Sequence, residues 1–383
     1  MKEKILIQAW NVYKNQSSYY IEYTQAVYIN TLLKNNLDVH LICPTHKISL
    51  DEIKKYSKID QDITVYELPA YKHYLSAYKY FPKYIKLYQK LKKEDFDTIY
   101  SRFPNPFGWL QMLFYKENRI VHFVGDPIDT VLKNNDLNPL FKFIKTSLFL
   151  PEYSLFLLSS YRANHVYTNG HYISNKLNKF GINAIPLISS TLVESDFYQK
   201  NVTFNSKQPI KLIYVGYLRK AKGVGVLLDA LDILNKNHPD KFTLTIVGEG
   251  ELEEKLKEIA KKNRLPVKFL GYIDDRGKLN SILREHDVFC FASLSEGSPR
   301  VILEAIANGL VVVTTPVGSL PYIFKDNEDM IFFDFDNAEA LSDQVLKLAQ
   351  SPTLSKKLST NSFKKVQDFK INSFIEKAFN LKK

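Results

Sequence analysis

Cysteine is scarce in this 383-residue chain. Only Cys43 and Cys290 occur, nearly 250 positions apart and each inside an apolar run. That spacing leaves no disulfide framework and no thiolate metal cluster, so two buried, reduced thiols are expected. Long apolar runs are also missing: none reaches the roughly 18 residues that a bilayer-spanning helix needs. The opening Met-Lys-Glu-Lys-Ile-Leu-Ile lacks the apolar core and small-residue cleavage site of a secretion signal, and a cytoplasmic location is expected. Internal repeats, low-complexity tracts and the Gly-x4-Gly-Lys-Ser/Thr spacing of a Walker loop are absent. A disulfide scaffold, a membrane-spanning protein, a solenoid and a P-loop NTPase are thereby set aside.

What is present fits a large soluble globular protein. Hydrophobic residues make up 45% and charged residues 24%, and the length calls for two domains of nearly 200 residues each. The net charge of +11 is uneven. Residues 1–200 carry 25 Lys and Arg against 18 Asp and Glu, leaving +4 for the remainder. The N-terminal half is therefore the part to face an anionic partner: a phosphate-bearing substrate or an acidic membrane surface. Nucleic acid is not expected, because no binding module accompanies the charge.

The most informative stretch runs from Ser293 to Pro321. The apolar run Val288–Ala292 ends in a polar turn, and from Pro299 an apolar face recurs at Val301, Ile302, Ala305 and Ile306 until Asn308-Gly309 closes it. This reads as strand, loop, short helix, strand. Pro299 suits the first helical turn and Gly309 the position after the last, so Gly297, Ser298 and Arg300 lie where free N–H groups and the positive helix end gather. Such a helix start takes an anion. Glu296 and Glu304 bracket it and can accept hydrogen bonds from hydroxyls. A polyol joined to a phosphate suits this pair of features.

Elsewhere the chain alternates strands and helices. Lys4–Trp10, a helix over 21–35 and Val39–Cys43 form a βαβ opening of the doubly wound kind, with Asn15–Ser18 in the first strand-to-helix loop. Residues 71–93 hold seven lysines and no acidic residue. Tyr74, Tyr78, Phe81, Ile85 and Tyr88 mark one face and Lys79, Lys83, Lys86, Lys90 and Lys93 another. That face either packs on the sheet or meets an anionic lipid surface. Thr98–Tyr100 is a short strand followed by a loop, Ser101–Pro106. The strand Ile120–Val124 runs into Gly125-Asp126-Pro127, which brings His122 and Asp126 to a carboxyl edge, where ligands meet such sheets. Asn138–Tyr161 is apolar and broken at Pro151, either packed helices or a second interfacial surface. Residues 199–208 are polar and aperiodic, the expected linker.

The second half opens with the strand Ile210–Val215, then Gly216-Tyr217-Leu218-Arg219-Lys220-Ala221-Lys222-Gly223, then an amphipathic helix. Glycine amides with Arg and Lys side chains in such a turn are phosphate-cradle chemistry. Val267–Ile273 is a later strand ending at Tyr272 and Ile273. Asp334-Phe335-Asp336 matches an Asp-x-Asp metal motif formally, but Asp336 with Glu339 reads as a capping box for the helix at Ala338, and no metal is expected.

Glu296 and Glu304 in their surrounding run resemble the Glu-x7-Glu signature of retaining glycosyltransferases of family 4, and Gly216–Gly223 resembles the family's Gly-Arg-Leu-x3-Lys-Gly element, with Tyr217 at the usual arginine position. The resemblance implies an α/β fold of two Rossmann-like doubly wound domains facing each other across a cleft, the GT-B architecture. Residues 1–200 would form the acceptor-side domain, with a C-terminal helix at about 366–383 packing back on it, and residues 208–365 the nucleotide-sugar domain. It further implies a nucleotide-sugar donor, UDP-linked favoured, and a glycan or lipid-linked acceptor. Glu296 and His122 would contact the donor sugar, with Asp126 near the cleft. Gly216, Arg219, Lys222, Gly297, Ser298, Pro299 and Arg300 would surround the diphosphate, Glu304 the ribose, and Tyr272 and Ile273 the base. No cofactor is implied. A sugar-nucleotide epimerase of the same architecture, or a catalytically idle subunit, would share the fold and the phosphate cradle.

Overall fold

The computed structural model describes residues 2–60, 62–116, 118–133, 137–200 and 208–381. The chain forms two compact units, Met1–Thr191 with Ile371–Lys383 and Leu192–Lys370. Most of the expected linker, residues 201–207, lies outside the described residues.

In the first unit seven parallel strands lie in the spatial order Thr64–Pro69, Leu37–Lys47, Glu3–Gln8, Thr98–Phe103, Arg119–Phe123, His165–Thr168, Ala184–Pro186. The chain steps outward from Glu3–Gln8 in one direction, then returns to its other side at Thr98–Phe103. The order therefore reverses between those two strands, which is where a doubly wound sheet opens a crevice. Arg102 belongs to the strand Thr98–Phe103 and not to the loop expected from Ser101 onward, because its backbone continues the ladder opposite His122. The Asn15–Ser18 segment is likewise no strand-to-helix loop. It is the tip of a hairpin, Val12–Asn15 against Ser18–Ile21, turned by Gln16 at φ +51° and widened by the Tyr13–Tyr56 stack, 4.0 Å between centroids. Its alternating aromatic and polar residues suit a pleated surface better than a coil.

Two helices depart from the sequence expectation in instructive ways. Residues 74–91 divide at Pro82 into a 3-10 turn, Tyr74–Tyr80, and a helix, Phe81–Leu91, since proline fits a first turn and not an interior. The inward side of that helix buries Tyr84, Tyr88 and Leu91, leaving its lysines exposed. Conversely Pro151 does not break Pro139–Tyr161, which is one helix of 23 residues. Pro151 and Ser147 both lie on the exposed side, so the carbonyl left without a helical donor faces solvent. Among the described residues no helix is long and apolar enough to cross a membrane. The last helix, Ile371–Ala378, belongs to the first unit. Its Phe374 ring lies 5.6 Å from Tyr28 and 5.8 Å from His122.

The second unit has six parallel strands in the order Val267–Phe269, Phe242–Val247, Ile210–Val215, Val288–Phe291, Val311–Thr314, Ile331–Phe332. Its central strands are near-continuous apolar runs, as a sheet covered on both faces requires. The order reverses between Ile210–Val215 and Val288–Phe291. Cys43 and Cys290 are free and buried in their strands, and burial pushes both thiols up, Cys290 to about 12.

Candidate active site

The loops after Ile210–Val215 and Val288–Phe291 meet at the reversal point of the second sheet. Gly223 makes that approach possible. It stands at φ +64°, and a Cβ there would lie 2.0 Å from the Ala292 carbonyl oxygen. Two further bonds hold the loops together: Leu294 N–H donates to Ala221 O at 2.9 Å, and the Ser293 hydroxyl to the same oxygen at 3.2 Å. The Lys222 ammonium, carried on this platform, forms an ion pair with the Glu296 carboxylate, which also accepts from the Ser293 hydroxyl at 3.0 Å. Both partners of the pair are only about one-sixth exposed, at 16% and 15%. Solvent therefore screens the pair far less than a surface ion pair.

The segment Ser293–Ser298 is braced from its other side. The Thr315 hydroxyl donates to Ser293 O at 2.6 Å, Ser319 N–H to Gly297 O at 3.0 Å, and the Ser298 and Ser319 hydroxyls lie 3.1 Å apart. The helix Arg300–Ala307 then starts at Pro299 with no side-chain cap, and its first bond is from Ile302 N–H to Pro299 O at 3.2 Å. The N–H groups of Arg300 and Val301 precede that bond, and the positive end of the helix is free for an anion. Gly309, at φ +83°, ends the helix as its position predicts.

Glu304 lies in the middle of this helix and is partly buried. Among the described residues its carboxylate has no hydrogen-bond or ion-pair partner. Burial raises its pKa, with the Arg276 and Arg300 charges opposing the shift. A carboxylate that is buried and unpartnered is costly, and vicinal hydroxyls from a ligand would satisfy it.

The remaining expected residues of this unit gather at the same strand ends. Gly216 sits over the Tyr214 hydroxyl, which would be 2.6 Å from a Cβ at that position. Arg219 and Tyr217 are exposed beside it, and Arg219 O accepts from Lys222 N–H at 2.9 Å. Gly248 comes so close to Gly216 O that a Cβ would lie 1.9 Å away, and its N–H donates to Gly271 O at 2.8 Å. Tyr272 and Ile273 follow directly, with Tyr272 exposed.

His122 and Asp126 lie in the first unit. His122 is enclosed, at 1% exposure, with Nδ1 2.6 Å from the Tyr100 hydroxyl. Burial, helped by the Arg102 charge, lowers its pKa to about 3, so the ring is neutral at physiological pH. Asp126 caps the helix Pro127–Lys133 by accepting from Ile128 and Asp129 N–H groups, and it pairs with Lys176 at 2.6 Å. Burial opposes the Lys176 charge, but the hydrogen bonds its ammonium donates to Asp126 and Asp129 prevail and hold its pKa above the ordinary value. The helix Ala338–Gln350 is capped by Asn337, which accepts from Ala340 N–H at 2.8 Å, and not by Asp336. Asp336 stands at φ +54°, outside cap geometry. Ser293 and Ser319, which orient Glu296 and Gly297, went unread in the sequence. Their only signal is a small hydroxyl residue, Ser293 just past a strand end and Ser319 just before a short helix, Leu320–Ile323.

Comparison with known proteins follows this geometry. Residues 196–365 match the family described as Glycosyl transferases group 1. The uncharacterized glycosyltransferase MJ1069 of Methanocaldococcus jannaschii is 25% identical over 365 residues, covering 91% of this chain and 88% of the relative. The amylovoran biosynthesis glycosyltransferase AmsK of Erwinia amylovora is 32% identical over 151 residues, 37% of each chain. HepE of Anabaena, solved in complex with UDP, superposes with a TM-score of 0.67 at 14% identity over 98% of both chains. Residues 196–365 are thus similar to a group 1 glycosyltransferase domain, and the chain has the two Rossmann-like domains of the GT-B fold.

Proposed function

We propose that this protein is a retaining glycosyltransferase of family 4, moving a sugar from a UDP-sugar to a glycan or lipid-linked acceptor in cell-surface polysaccharide synthesis. The observation that carries the reading is the Lys222–Glu296 pair at the reversal point, beside an uncapped helix start and the unpartnered Glu304. In the absence of donor, the Glu296 carboxylate takes the place of phosphate oxygens on the Lys222 ammonium. Arrival of a diphosphate transfers that ammonium to the ligand and frees Glu296 to accept from sugar hydroxyls. Glu304 receives the ribose hydroxyls, and backbone at Tyr272 and Ile273 meets the base.

As the sugar–phosphate bond breaks, negative charge grows on the departing diphosphate. Lys222, Arg219 and the amides around Gly297 and Ser298 stabilise it, which takes the role a metal ion has elsewhere. The leaving phosphate then helps deprotonate the acceptor on the same face of the sugar, preserving the anomeric configuration. Asp126 and His122 act as positioning residues of the first unit, since both side chains are engaged in packing.

A peripheral site on the cytoplasmic face of an anionic membrane fits the first unit's surface. The helix Pro139–Tyr161 leaves Leu140, Phe141, Phe143, Ile144, Leu148 and Leu150 exposed, with Phe143 at 70%. Its Phe149 ring packs 4.6 Å from Tyr74, at the start of the lysine-bearing stretch. An apolar face continuous with a row of cations suits an acidic headgroup layer.

A thermal-shift panel of UDP- and GDP-sugars with EDTA present tests the donor assignment. UDP-sugars are expected to raise the melting temperature by mass action. Stabilisation by guanine nucleotides alone would refute the UDP assignment. With an active donor–acceptor pair, an inverted product anomer in proton NMR would refute retention.

A further inference from the structure

The first unit has a reversal point of its own, between Glu3–Gln8 and Thr98–Phe103, and a cluster of N–H donors without acceptors stands at its carboxyl edge. Arg102 is partly buried there. Among the described residues its guanidinium has no carboxylate or carbonyl partner, and its Nε is enclosed with nothing to donate to. The Trp10 ring centroid lies 5.7 Å from the guanidinium carbon. Trp10 follows the strand Glu3–Gln8 by two positions and is buried, and its indole N–H, a donor only, has no acceptor either. His122 stands across from Arg102 in the ladder, and its Nε2 is buried without a partner. A partly buried guanidinium with no counter-ion gives up hydration without compensation. An oxyanion between Arg102 and Trp10 would remove that cost, with charge-assisted bonds of the strong kind.

We propose that Arg102 and the Trp10 indole N–H hold an anionic group of the acceptor, a phosphate or a carboxylate, at the reversal point of the first sheet. The acceptor assignment rests on the glycosyltransferase reading, whereas the anion site stands on the unpartnered donors alone. The site is distinct from the Lys222 cradle, which lies in the other unit.

The test uses the full chain with UDP at saturation, so that the donor site is filled. Only Trp10 and Trp109 contribute indole N–H signals, and Trp10→Phe assigns them. Inorganic phosphate and D-glucuronate are titrated separately. A saturable shift of the Trp10 signal, with Trp109 unmoved, is expected for one of them and identifies the class of anion. Arg102→Met should weaken that binding about ten-fold or more, and Arg102→Lys less. UDP-induced thermal stabilisation of each variant shows that it folds. No Trp10 shift with either anion, or the same shift in Arg102→Met, would overturn the proposal. A Trp10 response in a protein that UDP does not stabilise would instead count against the glycosyltransferase reading and leave the anion site standing.

Discussion

The two sheets reverse their strand order in the same way but treat the resulting crevice differently. In the second unit the Lys222 cation at the crevice already has a protein partner, while among the described residues the Glu304 carboxylate has none. Lys222 is neutralised by Glu296, Glu296 is oriented by Ser293, and Gly223 and Gly248 let the loops touch. In the first unit the crevice holds an arginine and an indole with no acceptor among the described residues. The difference teaches that a site can be prepared in two ways. An internal counter-ion holds one cation in place, while among the described residues the other cation has no compensating partner.

The largest effect that would break this contrast comes from backbone. Gly223→Ala must hold a left-handed φ and push a methyl group against Ala292 O, so a destabilisation of roughly 3 kcal/mol or more is expected by denaturant unfolding, with loss of UDP-induced stabilisation. A variant of wild-type stability would show that the two loops need not touch. Next comes Lys222→Ala, which should leave the fold intact and lower turnover about 10²–10³-fold, because it removes charge stabilisation of the leaving group. Wild-type turnover would place the diphosphate elsewhere.

The acid response of His122 sharpens the contrast further. Its folded pKa of about 3 lies below the ordinary 6.5, so between those values the unfolded chain binds more protons than the native state. Stability therefore rises with pH across that window and is level above it, with a slope from this residue of up to ~1.4 kcal/mol per pH unit. His122→Gln should flatten the slope in urea titrations from pH 4 to 6.5, and an unchanged slope would show that other groups set the acid limit. The smallest expected effect is at the surface. Phe143→Ser with Leu140→Ser should leave UDP-induced stabilisation unchanged while reducing co-sedimentation with anionic vesicles several-fold, since each exposed side chain would contribute ~1.5–3 kcal/mol if inserted. Unchanged sedimentation would exclude this helix from the membrane surface.

Much of the second unit was legible because its signals are local. The strand Ile210–Val215, the helix start at Pro299 and the stop at Gly309 each follow from residues whose backbone preferences act over a few positions. The first unit was harder to read. Tyr78 and Tyr88 looked equally able to meet lipid or core, and the packed fold buries Tyr88 while leaving Tyr78 exposed. Pro151 looked like a break, but it falls on the exposed side of a helix that has room for it. Arg102 looked like a loop cation, and its place beside Trp10 depends on a ladder between strands nearly a hundred residues apart.

The sequence by itself determined the alternation of strands and helices, the spacing of Glu296 and Glu304, and the glycines that let two loop backbones approach each other. Those features depend on φ preferences, periodicity and residue chemistry, which neighbours along the chain settle between themselves. Tertiary structure alone decided which of the charged groups are paired. Whether Lys222 finds Glu296, whether Glu304 and Arg102 find nothing, and whether His122 is buried all depend on desolvation and on partners far away in sequence. Burial sets the energy of a charge, and burial is a property of the folded whole.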